Sequence, residues 1–423
     1  SAASDVYKRQ MKRRDFIINS ALAVGGAALL SGCSKKEIKK AQNQVVRRKF
    51  DNTDTPLIAL GCMRLPMRNG KVDMVELDKM VEYAMAHGAN YFDTAYMYVE
   101  GKSENAIGEV LKKYPRESFI LADKCPAYLV NKPEDVRRLF EEQLKKCQVE
   151  YFDNYMVHNI NQNTLSNYRD NDMYGEILKL KKEGKIKHLG FSFHGDPQML
   201  KEVINEHKWD FCQLQLNYLD WEVVNADDLY QIADEAGVPV IVMEPLRGGI
   251  LCNLPEKAVQ TLKEKCPNDT QASFGLRWVA GKERVFTILS GMSNLQQVKE
   301  NIDTFVNYRE FSKEEEKVAH EIAQIIQSQG AISCTACKYC MEVCPRGINI
   351  PAIFGLYNMY KGSTQPNRSF MFVYNYKALK ESEKADKCID CKLCNKNCPQ
   401  NLDIPELLKT VAKEVKEAEK GMA

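Results

Sequence analysis

The chain has 423 residues, 44% of them hydrophobic and 27% charged, with a net charge of +2. That is room for one domain of roughly 250 residues plus one or two small units. The near-neutral balance, without a basic face studded with aromatics, gives no footing for nucleic acid. Of 15 cysteines, eight fall in two tight groups after Ser333 and the rest are scattered, a pattern of metal ligation and not of disulfides.

Ser1 to Gln10 precede Met11 and connect to nothing that follows, so they read as foreign to the natural start. From Met11 come basic Lys12-Arg13-Arg14, then Phe16-Ile17-Ile18, then an apolar run from Ala21 to Leu30. That run is too short to span a bilayer and has the length of a signal-peptide core. The paired arginines before Asp15-Phe16-Ile17 are similar to a twin-arginine signal, which exports folded proteins. Leu30-Ser31-Gly32-Cys33 resembles a lipobox, implying lipidation at Cys33 and a membrane anchor on the periplasmic side of the cell envelope. The alternative is a chance apolar helix in a cytoplasmic protein. The expected division is leader and signal over 1–33 and a lysine-rich, solvated tether over 34–50.

From Pro56 onward, strand-like apolar runs alternate with helical patterns. Predicted strands cover 57–60, 91–94, 119–122, 154–157, 188–191, 211–215, 239–242 and 286–289. The helix after the third strand starts at Pro133, with Glu134 and Asp135 suited to its positive end and Lys145 and Lys146 to the other. Eight strands, each followed by a helix, predict an α/β fold: a closed parallel (β/α)8 TIM barrel over 51–308. No GxGxxG follows a strand, so an open-sheet dinucleotide fold is unsupported.

In such a barrel the chemistry sits at the C-terminal ends of the strands. The second strand end offers Asp93 and, in the loop after it, Tyr98; the third offers Lys124 and the fourth His158. Carbonyl reduction needs a proton for the oxygen as hydride reaches the carbon, and a free phenol is a poor acid at neutral pH. The expectation is that Lys124 makes Tyr98 a better acid, Asp93 holds Lys124, and His158 orients the carbonyl oxygen.

With these residues in place, the chain from about Pro56 to about Asp303 resembles the aldo-keto reductases. Asn90-Tyr91-Phe92-Asp93-Thr94-Ala95, Gly190-Phe191-Ser192 and Glu300-Asn301 carry the likeness, and the family's four catalytic positions fall on Asp93, Tyr98, Lys124 and His158. The resemblance implies a nicotinamide cofactor, NAD(P)H, and a small carbonyl or alcohol substrate. The serine and glutamine that hold the nicotinamide amide match Ser192 and Gln213, and Gly61 and Met63 follow the first strand. Met243 stands where an aromatic stacks in the family, followed by Pro245, Leu246 and Gly248. Ser290, Gly291, Ser293, Gln297 and Asn301 match the phosphate and adenosine segment. Phe193 replaces the usual asparagine, and the basic residue for a 2′-phosphate is missing. His194 reads equally as a polar residue lining the mouth and as a substrate contact.

After a linker helix over 309–330, residues 331–423 carry Cys334-x2-Cys337-x2-Cys340-x3-Cys344-Pro345 and, later, Cys388-x2-Cys391-x2-Cys394-x3-Cys398-Pro399. This is the bacterial spacing for two [4Fe-4S] clusters, in which the fourth cysteine serves the other cluster. Crosswise ligation gives Cys334, Cys337, Cys340 and Cys398 one cluster, and Cys388, Cys391, Cys394 and Cys344 the second. Zinc, which thiolates also bind, fits the spacing poorly. Helices are expected over 352–360 and 406–417, with a further one over 376–384, in a helical two-cluster ferredoxin-like domain. Cys62, Cys125, Cys147, Cys212, Cys252 and Cys266 read as buried apolar residues.

Two functions follow. One is an oxidoreductase that interconverts a carbonyl and an alcohol, with clusters that serve a redox partner protein or hold the module together. The other is an electron-transfer protein whose barrel binds a ligand or partner without reducing carbonyls, favoured by Phe193, Met243 and the missing base. A non-redox enzyme using Lys124 as base is a third.

Overall fold

Runs such as Ile120-Leu121-Ala122 have no polar face to turn to water, so they need cover on both sides, which a helix-ringed sheet provides. The computed structural model describes residues 35–421 apart from 37, 224–225, 364 and 366; the leader, twin-arginine and lipobox expectations lie outside them. Eight parallel strands close in sequence order: β1 (Ile58–Gly61), β2 (Tyr91–Asp93), β3 (Ile120–Pro126), β4 (Phe152–Ile160), β5 (Ile186–Phe193), β6 (Phe211–Gln215), β7 (Val240–Met243) and β8 (Val285–Ser290). Ile288 of β8 pairs with Ile58 of β1, and Leu60 with Phe92, which shuts the barrel. β3 runs four residues past its predicted end and is buried throughout, carrying Lys124 inside the sheet.

The stretch read as a tether is in part structural. Arg47–Phe50 pairs with Thr53–Pro56 in a hairpin, and Phe50 is buried, its ring stacked 4.0 Å from that of Phe286. Phe50 joins Tyr91, Met156 and Phe211 in the barrel's inner core. Five apolar residues (Ile38, Ala41, Val45, Val46 and Phe50) scattered in a lysine- and arginine-rich stretch show no period, although one well-placed ring is enough to plug the barrel floor.

Helix α1 (Glu134–Cys147) lays Val136, Leu139 and Phe140 on the sheet, and ends on Gln148 in the left-handed region at φ 55. Helix α2 (Lys313–Ser328) opens with a capping box between Ser312 and Glu315. Glu315 also receives both Arg277, from the helix Gln271–Ala280, and Arg309. Burial opposes its charge, but the hydrogen bonds from Arg277, Ser312 and Arg309 win and hold the carboxyl down at about 2.

Beyond α2, helices α3 (Ile350–Gly362), α4 (Arg368–Lys377) and α5 (Ile404–Lys420) enclose a separate small core of Phe354, Phe372, Tyr376, Leu408 and Val411. The helix expected over 376–384 lies earlier. Phe372, Val373 and Tyr376 give α4 a face to bury, whereas Lys380-Glu381-Ser382-Glu383-Lys384 has none and forms a short 3-10 turn. This module sits on the barrel's C-terminal face. Arg64 donates to the Thr335 carbonyl (2.7 Å), Asn163 to that of Lys396 (2.6 Å), and the carboxamides of Gln215 and Gln400 bond reciprocally. Gly248, at φ +64, passes so near that a Cβ there would lie 2.2 Å from the Thr335 oxygen.

Candidate active site and cluster-binding sites

The strand ends bring the four predicted catalytic residues together. The Lys124 ammonium, fully buried, pairs with the Asp93 carboxylate, donates to the Thr94 carbonyl (2.6 Å) and stands 4.7 Å from the centre of the Tyr98 ring. The rings of Tyr98 and His158 meet edge to face at 6.0 Å. Val99 and Glu100, just after Tyr98, sit at φ 54 and 56. For a β-branched valine that is a strained conformation of the kind found at functional turns.

The electrostatics differ from the expectation of an acidified phenol. Burial first, then the fields of Asp93 and Glu244, push Tyr98 well above its ordinary value. Lys124 is already matched by Asp93, so its charge does not offset the desolvation of a phenolate. Tyr98 is therefore a neutral phenol that holds its proton. Burial, then Lys124 and His194, lower His158 well below its usual range, so its imidazole is neutral. Its Nδ1 and the Asp93 Oδ2 are buried without a hydrogen-bond partner, as in a site that waits for a ligand.

A cleft of about 510 Å³ opens beside Tyr98 and Asp93. Gly61 and Met63 line it after β1, Gln213 in β6, and Met243, Pro245, Leu246 and Gly248 at and after β7. Ser290, Gly291, Ser293, Gln297 and Asn301 complete the wall after β8. The Asn301 carboxamide donates to the Ser290 hydroxyl (3.0 Å), and Gln297 accepts from the Ser293 amide (2.7 Å). A side chain on Gly291 would press on Arg64 at 3.0 Å. The Gln213 Oε1 is buried and unpartnered, which suits it to receive an amide N–H such as that of a nicotinamide. Ser192 is the exception: it is absent from the cleft wall, and its hydroxyl accepts from the Asn159 amide (2.7 Å), fixing the backbone next to His158.

Several cleft residues lie outside the predicted cofactor positions, Arg64, Glu244 and Glu300 among them. Arg64 spans from the cleft to the cluster module, with a nitrogen 3.8 Å from the Glu244 carboxylate. Burial raises Glu244 above the usual carboxylate range. Glu300 lines the end of the cleft at the adenosine segment. Arg64 and Glu244 take their significance from the docked module, which no local pattern foretells. Glu300 stands beside Asn301, in a stretch whose sequence signal is the family likeness alone.

The eight clustered thiols gather in two sets of four. Cys334, Cys337, Cys340 and Cys398 line one small void, and Cys344, Cys388, Cys391 and Cys394 another. Each set lines a void, as ligands of a multi-iron group do. The two loops repeat each other's backbone, with Ala336 and Lys338 in the left-handed region and Asp390 and Lys392 likewise. In the first loop this aims the Ala336 amide at the Cys334 sulfur (3.4 Å). The donor set and its shape fit [4Fe-4S] groups. The scattered cysteines behave as apolar residues: Cys62, Cys125, Cys147, Cys212 and Cys266 are buried, and burial lifts the Cys125 thiol to about 12. Cys252 is half-buried and touches the cleft.

Comparison with known proteins agrees with this geometry. The sequence model of the 4Fe-4S dicluster domain matches residues 333–402. A probable aldo-keto reductase of Glycine max is 27% identical over 231 residues, covering 51% of this chain and 65% of its own length, just under two thirds. L-galactose dehydrogenase of Arabidopsis thaliana is 26% identical over 305 residues, 66% of this chain and 94% of that one. Among solved structures, the holo form of an aldo-keto reductase from Bacillus halodurans superposes with a TM-score of 0.56 at 24% identity, over 66% of this chain and 96% of that one, and so shares the fold. The sequence model of the aldo/keto reductase family matches residues 57–324, and this chain, an oxidoreductase with a 4Fe-4S ferredoxin-like domain behind its barrel, belongs to that family.

Proposed function

We propose that the barrel interconverts a carbonyl and an alcohol with a nicotinamide bound in the 510 Å³ cleft, and that the two thiol sets hold one [4Fe-4S] cluster each. The observation that carries the reading is the convergence of Tyr98, Lys124, His158 and Asp93 at one end of that cleft. The nicotinamide, when bound, supplies or accepts hydride at the substrate carbon. Tyr98 gives its proton to the carbonyl oxygen, and its high proton affinity lets it take the proton back in the reverse direction. Neutral His158 donates a hydrogen bond to the same oxygen, and Lys124 lies close enough to the ring to stabilise a phenolate. Asp93 keeps Lys124 in position. Glu300 at the adenosine end, where the family carries a base, favours NADH over NADPH.

Cys334, Cys337, Cys340 and Cys398 would hold the cluster nearer the barrel, whose loop meets Arg64, and the other four the outer one, where Cys391 is exposed. Clusters exchange single electrons, so they suit a redox partner protein better than they suit hydride. The leader and lipobox support export in the folded state and anchorage through Cys33, with the nicotinamide carried out tightly bound.

The test is anaerobic titration of the cluster-loaded protein with NADH and NADPH, read by quenching of protein fluorescence. Binding, with turnover lost in Tyr98→Phe, supports the enzyme. Reversible cluster reduction without nicotinamide binding supports the carrier reading, which Met243 favours by standing where a stacking ring is expected.

A further inference from the structure

We infer that Gln143 is a positioning residue for the reaction: from behind the barrel wall it fixes the backbone of Lys124, so that the ammonium stays against the Tyr98 ring. This rests on the carbonyl–alcohol reading above. The need for it arises from unequal strand lengths. β2 makes its last pairing with β3 at Asp93 opposite Ala122, and the Thr94 amide still donates to the Ala122 carbonyl (3.0 Å). Alternate residues of a strand turn their peptide groups to the same edge, so Lys124 presents its own where β2 has already ended. Its partner in β4, Met156, lies on the opposite edge. Lys124 is fully buried, and a buried peptide group without a partner is costly.

Two side chains replace the missing strand. An Asp123 side-chain oxygen accepts from the Lys124 amide (2.8 Å), and the Gln143 carboxamide, reaching in from α1, donates to the Lys124 carbonyl (3.0 Å). Gln143 is itself held on its other sides. Its amide nitrogen also donates to Glu104 (2.8 Å), its oxygen accepts from the Tyr155 hydroxyl (2.6 Å), and Glu104 in turn meets Lys146 (3.2 Å). Asp123, Gln143, Glu104 and Tyr155 are all fully buried. A carboxamide has two N–H donors and an acceptor oxygen, and here each has a partner, so an acid or an apolar residue of the same length fits worse. Lys124 is thus held at both ends, its ammonium by Asp93 and the Thr94 carbonyl, its peptide by Asp123 and Gln143. Neither Asp123 nor Gln143 lines the cleft, so their effect on the chemistry runs through Lys124. A displacement of about 1 Å in such a constellation costs up to about a hundredfold in rate.

The test uses the full-length, cluster-loaded protein, assayed anaerobically for NADH-dependent reduction of pyridine-3-carbaldehyde. Gln143→Met keeps the length and loses the amide; it should lower kcat about tenfold and leave KM for NADH unchanged. Proton transfer from Tyr98 then limits the rate more, so the solvent deuterium isotope effect on kcat should rise. A smaller folded fraction lowers the rate without moving that isotope effect. Tyr155→Phe, which frees only the Gln143 oxygen, should give the same pattern at about threefold. Thr287→Val removes an equally buried bond, to the Pro56 carbonyl (2.8 Å), on β8 and outside the cleft wall. It should cost stability and leave both kcat and the isotope effect as they are. An unchanged kcat in Gln143→Met, a fall with the isotope effect unmoved, or the same rise in Thr287→Val overturns the assignment; if Gln143→Met does not fold, Tyr155→Phe decides by the same readings. Full turnover in Tyr98→Phe, or no reduction of the aldehyde by the unaltered protein, removes the carbonyl–alcohol reading and the assignment with it. An inactive Tyr98→Phe beside an indifferent Gln143→Met sinks the assignment alone.

Discussion

The barrel and the cluster module are held together by different physics. The barrel closes its sheet on itself and buries one continuous core from Val45 to Ile326. The module has a far smaller core, into which Cys340 and Cys394 are themselves counted. Most of the large apolar side chains exposed among the described residues belong to it, including Met359, Phe370, Tyr374, Ile389 and Leu393. A unit of that size covers its apolar surface incompletely and is stabilised by what its thiols bind. The two parts touch at the strand-end face that carries the candidate site. The candidate catalytic residues sit at the strand ends of the barrel, and the thiol-bearing module docks on the same face.

Experiments can break this contrast or sharpen it. The largest effect belongs to the barrel: Tyr98→Phe should lower turnover roughly a hundredfold or more while melting and cluster content stay unchanged. A variant that turns over normally removes Tyr98 from the chemistry.

In the module, Cys344→Ser should cost about half of the iron, all of it from the set completed by Cys388, Cys391 and Cys394. Low-temperature paramagnetic resonance should then show one cluster, with its contacts to the barrel intact. Loss of the other cluster instead would overturn crosswise ligation. Removing iron altogether with a chelator should unfold the module and leave the far-ultraviolet signature of the barrel, which then melts in one transition without the module's contribution.

The strap between the two regions comes next. Glu315 is held at about 2 by Arg277 and Arg309, below its ordinary 4.5. As pH falls, the unfolded chain takes up this proton first, so the stabilisation is complete above about 4.5 and is lost on the way down to about 2. Glu315→Gln should cost roughly 2 kcal/mol at neutral pH and flatten the acid limb of the denaturation curve; an unchanged limb assigns it to other groups.

Gly248→Ala should have the smallest effect, about 1–2 kcal/mol, and a local one. The added carbon meets the Thr335 carbonyl, so hydrogen exchange should quicken in the first cysteine loop and stay slow in β7. Equal quickening in both would show that the docking contact is not separable from the barrel.

Much of this architecture was legible in order of residues. Strand runs and strand-end residues repeat at short range, and a parallel barrel orders its strands as the chain does, so Asp93, Tyr98, Lys124 and His158 could be placed on one rim. The two cysteine runs carry their own ligand spacing, and their crosswise grouping followed from it. Other features are sums over distant parts, and only the tertiary structure decided them. Phe50 plugs the barrel floor because Phe286 is there to stack on it. Tyr98 is a reluctant acid because burial outweighs a lysine already engaged by Asp93. Arg64 reaches Thr335, and Tyr339 faces Tyr128 across a cavity, because two domains dock. Local spacing encodes periodic contacts and ligand sets; desolvation and docking depend on groups hundreds of residues apart, and no stretch of sequence carries them alone.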